Sequence, residues 1–253
     1  HECGAPAILS GANLRCLPSD KGMVDLKKLE RTIRFGIDIH EPKTGLICTE
    51  NAHSTGVVHP LSYMRELYGI AHKNNIPVHL DGARIFNAAS YLHVEAAEIA
   101  QYADSVMFCL SKGLCAPVGS MLAGTKAFID AARRKRKILG GGMRQAGILA
   151  MAGIIALERM TKRVGEDHEH AVYLADLLSG IPGLEVYRED VHINMVFFKI
   201  KKPVDGDAMT EELKKEGILV NPPENGLMRL VTHYYIGKEQ VEKTVTALKE
   251  IFA

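Results

Sequence analysis

The first half of the chain alternates short apolar runs with longer stretches in which apolar residues recur at helical spacing. Four runs have the length of a strand and lie at residues 45–50, 77–81, 105–110 and 119–124. Between the first two, residues 61–73 carry apolar side chains three and four positions apart, as on one face of a helix. This alternation predicts an α/β fold with a mostly parallel sheet and helical crossovers.

The second half has a different pattern. Helical spacing dominates residues 126–178 and is interrupted at the glycine triplet 140–142. Beyond residue 180, predicted strands and helices no longer alternate regularly; the strands lie near residue 186 and at 192–200 and 228–232, and the helices at 207–216 and 238–252. We therefore expect a large α/β domain over residues 1–158 and a small α+β domain over residues 159–253.

Composition gives no indication of a nucleic-acid or membrane partner. The net charge is only +1, and 24% of the residues are charged. A basic run at residues 133–137 fits either a phosphate-binding patch or a solvated helix face. The most apolar stretch, residues 146–157, is shorter than the roughly 18 residues that a membrane helix needs, and it predicts a buried core helix.

The five cysteines show neither CxxC pairs nor the spacing of zinc ligands, so we expect no metal site. Cys48, Cys109 and Cys115 lie in runs of apolar or small residues, where a free thiol behaves as a small hydrophobic side chain. Reduced, structural cysteines are typical of cytoplasmic proteins. We therefore expect a cytoplasmic location.

Ionisable side chains follow the predicted strands at the points where the strands end. The first strand leads into Glu50 and His53, the second into Asp81 and Arg84, and the third into Lys112. Each has an ordinary structural explanation, such as an aspartate that caps a helix or a solvated lysine. In an open α/β sheet, however, ligands bind at the carboxyl ends of the strands, so these groups together predict a single site.

An aspartate and a lysine on neighbouring strands of such a sheet suit the chemistry of pyridoxal 5'-phosphate (PLP). A lysine amine is needed to capture the cofactor's aldehyde. A carboxylate is needed to keep the pyridine nitrogen protonated, so that the ring can accept electrons. We therefore expect Lys112 to bind the cofactor covalently and Asp81 to contact its ring nitrogen.

Two segments, residues 79–88 and 103–120, resemble the threonine aldolases. Shorter matches follow the order of that family at Glu50-Asn-Ala-His, Leu139-Gly-Gly-Gly-Met-Arg-Gln-Ala-Gly and Arg229-Leu-Val-Thr-His. Threonine aldolases are PLP enzymes grouped with the aromatic β-eliminating lyases. The resemblance covers essentially the whole chain and implies the aspartate-aminotransferase fold (fold type I), with an amino-terminal segment missing.

The resemblance also implies roles for further residues. Arg84 lies close to the cofactor and, with Arg229, binds the substrate carboxylate, a task suited to the guanidinium fork. His53 acts in catalysis near the substrate's β-hydroxyl group. Arg144, with the region around Lys137, reaches the phosphate end of a cofactor site.

The implied reaction is aldol cleavage of threonine or allo-threonine to glycine and acetaldehyde, within threonine catabolism and glycine biosynthesis. The implied assembly is a homotetramer, a dimer of dimers. Two alternatives stay open. Another β-eliminating lyase or an aminotransferase of the same fold needs the same aspartate and lysine, and a truncated, inactive relic keeps the fold alone.

The second alternative arises from the beginning of the chain. Threonine aldolases begin with a longer segment that carries a phosphate-binding loop and a histidine stacked on the cofactor ring. Neither is present here, and His1 is not assigned that role. The first residue is histidine rather than methionine, and no signal-peptide pattern precedes the fold, so we expect a fragment or a processed product whose activity alone is an open question.

Overall fold

The computed structural model of the protein describes residues 2–252, and His1 lies outside the described residues. Its strands are β1 (Ser19–Asp20), β2 (Met23–Val24), β3 (Ile47–Glu50), β4 (Val78–Asp81), β5 (Ser105–Cys109), β6 (Ser120–Gly124), β7 (Leu184–Val186), β8 (Met195–Ile200) and β9 (Leu227–Val231). Its α-helices are α1 (Ala5–Ser10), α2 (Leu26–Thr32), α3 (Leu61–Lys73), α4 (Ile85–Leu92), α5 (Ala96–Ala100), α6 (Lys126–Ile138), α7 (Gly147–Arg159), α8 (Val164–Leu178), α9 (Gly206–Lys215) and α10 (Lys238–Phe252).

The predicted sheet forms from β3, β4, β5 and β6 in that order. The first three strands are parallel and β6 is antiparallel to β5. Because β3 and β4 are parallel and in register from Ile47↔Val78 to Glu50↔Asp81, their last residues are neighbours. The expected α/β fold with a mostly parallel sheet is confirmed.

Helix α3 has the predicted bounds and shows how the crossovers pack. Its buried side chains are Met64, Leu67 and Ala71, spaced three and four residues apart. Leu67 and Ala71 pack in one apolar cluster with Ile47 of β3 and Val78 of β4. The helix thus covers the sheet next to the two strands whose ends carry Glu50 and Asp81.

The last part of the chain folds around a second, antiparallel sheet of β7, β8 and β9. Its apolar core is drawn from residues 171–252 and includes Leu178 of α8, Phe198 of β8 and Val245 of α10. The predicted helix over residues 238–252 is confirmed with the same bounds. Arg229 lies at the middle of β9, opposite Phe197.

Two local expectations are corrected. The apolar stretch predicted as a buried core helix forms α7, but Ile148 is 88% exposed and Met151 is 55% exposed, because no element within residues 2–252 covers that face. Cys48 and Cys115, expected to behave as small hydrophobic side chains with a structural role, are exposed free thiols. The pattern also gave no indication of the β1–β2 hairpin, whose strands have two residues each.

The basic run at residues 133–137 lies on α6, whose described side chains include none that is buried. None of the helices over residues 2–252 combines the length and the apolar character that crossing a bilayer requires.

Candidate active site

The carboxyl edge of the four-stranded sheet is formed by three neighbouring strand ends. Glu50 and Asp81 are the last residues of β3 and β4 and lie directly opposite each other. Strand β5 ends at Cys109, three residues before Lys112. The parallel register therefore places the acidic ends beside the loop that carries the lysine.

A tight turn follows Asp81. Its Oδ1 accepts a hydrogen bond from the backbone N–H of Ala83 at 3.0 Å. The N–H of Gly82 donates to the carbonyl of Met107 at 2.7 Å, and a Cβ on Gly82 would lie 2.9 Å from that oxygen. Only glycine fits so close to β5. Among residues 2–252, no donor reaches the other carboxylate oxygen of Asp81, which stays free for a ligand.

The loop after β5 is fixed by its apolar residues and exposes Lys112. Leu110 and Leu114 are buried in a cluster with Ala156 and Val164. The N–H of Cys115 donates to the carbonyl of Lys112 at 2.9 Å, which closes a turn around the lysine. Lys112 itself is exposed, and its amine makes no ion pair with any described residue.

Arg84 and Arg229 come from different elements and lie within electrostatic reach of each other. Arg84 immediately precedes α4 and is partly buried, whereas Arg229 is exposed on β9. Burial lowers the pKa of the Arg84 guanidinium, Glu50 opposes that shift, and the positive charge of Arg229 lowers the pKa further. Two like charges within electrostatic reach of each other suit an anionic ligand between them.

Glu50 is the site residue to which the sequence gave no role. Burial raises the pKa of its carboxyl group, the neighbouring charge of Asp81 raises it further, and Arg84 and Lys112 act in the opposite direction. The charges of Asp81, Arg84 and Lys112 thus all act on the carboxyl group of Glu50. These are the residues predicted to bind the ring nitrogen, the substrate carboxylate and the cofactor aldehyde. Its register position opposite Asp81 was the available signal, since both residues end parallel strands.

His53 lies at the same edge, with its ring nitrogens in different surroundings. Its Nδ1 lies 2.9 Å from the hydroxyl of Thr55 and accepts from the Thr55 backbone N–H at 3.3 Å. Its Nε2 lies 3.6 Å from Oε2 of Glu50. Burial lowers the pKa of the imidazole, and the charge of Arg84 lowers it further. A neutral ring with Nε2 protonated satisfies both contacts.

Arg144 does not join this group of residues. It lies exposed in the loop between α6 and α7, and no ion pair or hydrogen bond within residues 2–252 links its side chain to the strand ends. The same described residues include no cluster of three or more histidine, cysteine or acidic side chains placed to hold a metal ion.

The sequence model of the β-eliminating lyases matches residues 1–201 of the 253. The chain belongs to the β-eliminating lyase family. This lyase is 39% identical to the low specificity L-threonine aldolase of Escherichia coli (strain K12), an alignment that covers 100% of the chain and 74% of the relative. It is 38% identical to the probable low-specificity L-threonine aldolase 2 of Arabidopsis thaliana, over 100% of the chain and 73% of the relative.

Solved structures confirm the fold of the lyase. A putative L-allo-threonine aldolase from Listeria monocytogenes superposes with a TM-score of 0.81 at 19% identity, over 99% of this chain and 71% of that one. The threonine aldolase of Leishmania major gives a TM-score of 0.78 at 20% identity, over 100% and 74%. The resemblance to threonine aldolases and fold type I are thus confirmed.

The family and its fold imply PLP as cofactor. The residues at the strand ends fit that group. Lys112 offers an exposed amine without an ion-pair partner among the described residues, and Asp81 offers a carboxylate oxygen without a protein donor. Arg84 and Arg229 add the positive charge that an amino-acid carboxylate requires.

Proposed function

We propose that this lyase cleaves threonine or allo-threonine to glycine and acetaldehyde with PLP as its cofactor. The observation that carries the proposal is that Asp81, Lys112 and Arg84 lie at one edge of the four-stranded sheet, with Arg229 of the other sheet within electrostatic reach of Arg84. The names of the relatives, low-specificity L-threonine aldolases, supply the reaction.

In this proposal, Lys112 binds the cofactor covalently and Asp81 pairs with its ring nitrogen. When bound, PLP supplies a sink for the electron pair left at Cα as the Cα–Cβ bond breaks. The backbone around both residues supports these roles, because the turn after Asp81 and the loop around Lys112 are held by hydrogen bonds and buried leucines. Because the backbone is fixed there, the two side chains start from defined positions when a ligand binds.

Arg84 and Arg229 are proposed to hold the substrate carboxylate between them. Their mutual repulsion, which helps to lower the pKa of Arg84, is relieved when an anion binds. Two guanidinium groups can also fix the orientation of the carboxylate, and hence the direction of the bond that breaks.

His53 is proposed to exchange a proton with the substrate's β-hydroxyl group. Because burial and Arg84 lower the pKa of its imidazole, the ring is neutral at neutral pH, and with Nε2 protonated it can accept a proton at Nδ1, which lies 2.9 Å from the Thr55 hydroxyl. Glu50, 3.6 Å from Nε2, would stabilise the protonated ring.

Several broader features complete the proposal. We propose a large domain over residues 1–158 and a small one over 159–253, which is supported by a separate apolar core within residues 171–252.

The exposed apolar face of α7 supports a homotetramer, and in such an assembly Arg144 would reach the phosphate of a neighbouring subunit's cofactor. Five free thiols support a cytoplasmic location, where threonine catabolism and glycine formation would take place.

The test is an assay of the PLP-loaded protein with threonine and allo-threonine, in which acetaldehyde and glycine are both quantified. We expect the two products in equal amounts. Pyruvate and ammonia from tryptophan or tyrosine would instead indicate a β-eliminating activity, and the absence of any turnover would indicate the inactive relic.

Asp81→Asn should keep the fold and lose most PLP affinity and turnover, since it removes only the charge at the nitrogen.

A further inference from the structure

The two-residue turn Lys21-Gly22 between β1 and β2 lies against the imidazole of His53. Both turn residues have positive φ, 49° and 89°, as a tight hairpin turn of this hand requires. A Cβ on Gly22 would lie 2.6 Å from Cγ and 2.9 Å from Nε2 of His53. Carbon atoms do not approach that closely without displacement, so a residue larger than glycine would have to move the ring.

The Lys21-Gly22 turn is anchored on two sides. The amine of Lys21 forms an ion pair with Asp190, the last residue of a single 3₁₀ turn (Arg188–Asp190) that precedes β8. The carbonyl of Lys21 pairs with Nε2 of His59 at 3.0 Å. His59 is fully buried, and its backbone is held by Asn51 through two hydrogen bonds of 3.1 Å. The turn therefore cannot shift easily away from the sheet edge.

The remaining surroundings of His53 restrict its rotation further. The ring of His59 stacks on it with a centroid separation of 5.9 Å and an interplanar angle of 24°. Thr55 contacts Nδ1, and Glu50 faces Nε2. The titratable and charged groups around the imidazole are Glu50, Arg84, His59 and Lys21, with His192 and Asp190 behind them.

We propose that Gly22 is a positioning residue, through which the Lys21-Gly22 turn fixes His53 with Nε2 facing Glu50. The inference rests on the proposed role of His53 in aldol cleavage. Its physical basis is that proton transfer requires the donor and acceptor within hydrogen-bond reach, so a rotated ring loses its catalytic contribution. Absence of aldol cleavage in the unmodified protein would count against the proposed function, whereas the variants below address only the turn.

The first experiment compares Gly22→Ala with Gly217→Ala. Gly217 also has a positive φ, of 74°, but a Cβ there would meet nothing within 4 Å. Both variants carry the same kind of backbone strain, and only the first displaces His53. We expect kcat to fall about 10- to 100-fold in Gly22→Ala and less than about 2-fold in Gly217→Ala. KM should change little in either. Equal losses of kcat in the two variants would overturn the proposal.

A double-variant cycle separates a positioning role from a general structural one. If Gly22 acts through His53, Gly22→Ala should cost less than about 2-fold in a His53→Gln background. The same 10- to 100-fold loss in that background would show that the turn acts through some other group.

A readout independent of turnover is NMR of the histidine ring nitrogens in the cofactor-free protein, with the His53 signal assigned from His53→Gln. We expect a neutral ring protonated at Nε2 in the unmodified protein and in Gly217→Ala, and an altered tautomer population or titration in Gly22→Ala. An unchanged His53 signal in Gly22→Ala would overturn the inference.

If Gly22→Ala does not fold, Lys21→Met releases the turn from Asp190 instead. This variant should change the His53 signal and lower kcat about 2- to 5-fold. An unchanged signal together with an unchanged kcat would equally overturn the inference.

Discussion

Arg84 and Arg163 lie in two different regions of the molecule and are both partly buried, but their pKa values shift in opposite directions. At the carboxyl edge of the four-stranded sheet, burial lowers the pKa of Arg84, and no carboxylate among the described residues forms an ion pair with it. At the start of α8, burial acts on Arg163 in the same direction, but the hydrogen bonds that its guanidinium donates to Asp167 raise its pKa overall. The guanidinium of Arg163 also lies 5.0 Å from the ring centre of Tyr234.

The difference separates a structural cation from one left available for a ligand. Asp167 is fully buried and lies 2.6 Å from Arg163, so the pair joins the residue that precedes α8 to the first turn of that helix. Arg84 instead has a second arginine, Arg229, within electrostatic reach. An unpaired, partly buried cation destabilises the fold unless an anion from outside completes it.

The largest expected effect concerns the unpaired amine of Lys112. Lys112→Ala should lower turnover by more than about 10⁴-fold, because no other described lysine lies on the loop after β5. Thermal stability should hardly change, since the side chain is exposed. Acetaldehyde release and melting by circular dichroism measure the two quantities. Lys126→Ala, another exposed lysine, is the control and should behave as the unmodified protein.

The next largest effect is on stability and involves the paired arginine. Asp167→Ala should lower the free energy of unfolding by about 3 kcal/mol, because it leaves Arg163 partly buried without its main partner. Asp176→Ala breaks the exposed pair with Arg188 and should cost less than about 1 kcal/mol. Urea denaturation of both variants measures the difference. Equal losses of unfolding free energy in the two variants would show that the pair of Arg163 with Asp167 stabilises the fold no more than the exposed pair of Arg188 with Asp176.

A substitution of Arg229 tests whether the unpaired arginines at the sheet edge bind the substrate. Arg229→Lys should lower kcat/KM for threonine by about 2–4 kcal/mol, roughly thirty- to a thousandfold, because an ammonium cannot reproduce the two-pronged contact. PLP content, measured by absorbance, should stay the same. Arg188→Lys keeps a surface ion pair and serves as the control. Loss of PLP together with activity would assign Arg229 to the cofactor or the fold instead.

The smallest expected effect depends on pH. Burial lowers the pKa of His168 from 6.5 to about 4, and its Nε2 accepts a hydrogen bond from Asn87 at 3.0 Å. Above pH 6.5 the ring is neutral whether the protein is folded or unfolded. Below it, only the unfolded chain binds the proton, so stability falls between pH 6.5 and about 4. At pH 5 the loss should be about 2 kcal/mol.

His168→Gln keeps an acceptor for Asn87 and should remove that part of the pH dependence in urea denaturation between pH 7 and 4. His93→Asn, at an exposed position with the left-handed backbone that asparagine tolerates, should leave it unchanged. An undiminished slope in His168→Gln would show that other groups carry the effect.

The sequence predicted those parts of the fold that depend on local patterns. Helices α3 and α10 have the predicted bounds because their apolar residues recur at helical spacing. The hairpin β1–β2 was missed because a strand of two residues has no period to detect. Helix α7 was expected to be buried because it is the most apolar stretch of the chain, yet no element within residues 2–252 covers the face that carries Ile148 and Met151.

In the candidate site, too, the sequence predicted the residues that a local pattern marks and missed those that depend on tertiary contacts. Asp81 and Lys112 were predicted because each ends or follows an apolar strand, and their roles stay predictions that the variants above test. Glu50 was assigned no role because its importance depends on strand register rather than on its own segment. The contact of Gly22 with His53 joins residues with no shared pattern, so no periodicity could have revealed it.

The ion pair between Lys21 and Asp190 also has a consequence for protein synthesis. Its partners are 169 positions apart along the chain. At a translation rate of about 5–20 residues per second, Asp190 is added roughly 10–30 seconds after Lys21. During that interval the nascent chain already carries His53, Asp81 and Lys112, while the anchor of the hairpin does not yet exist. The hairpin would thus gain this anchor only after all three of these site residues have been synthesised.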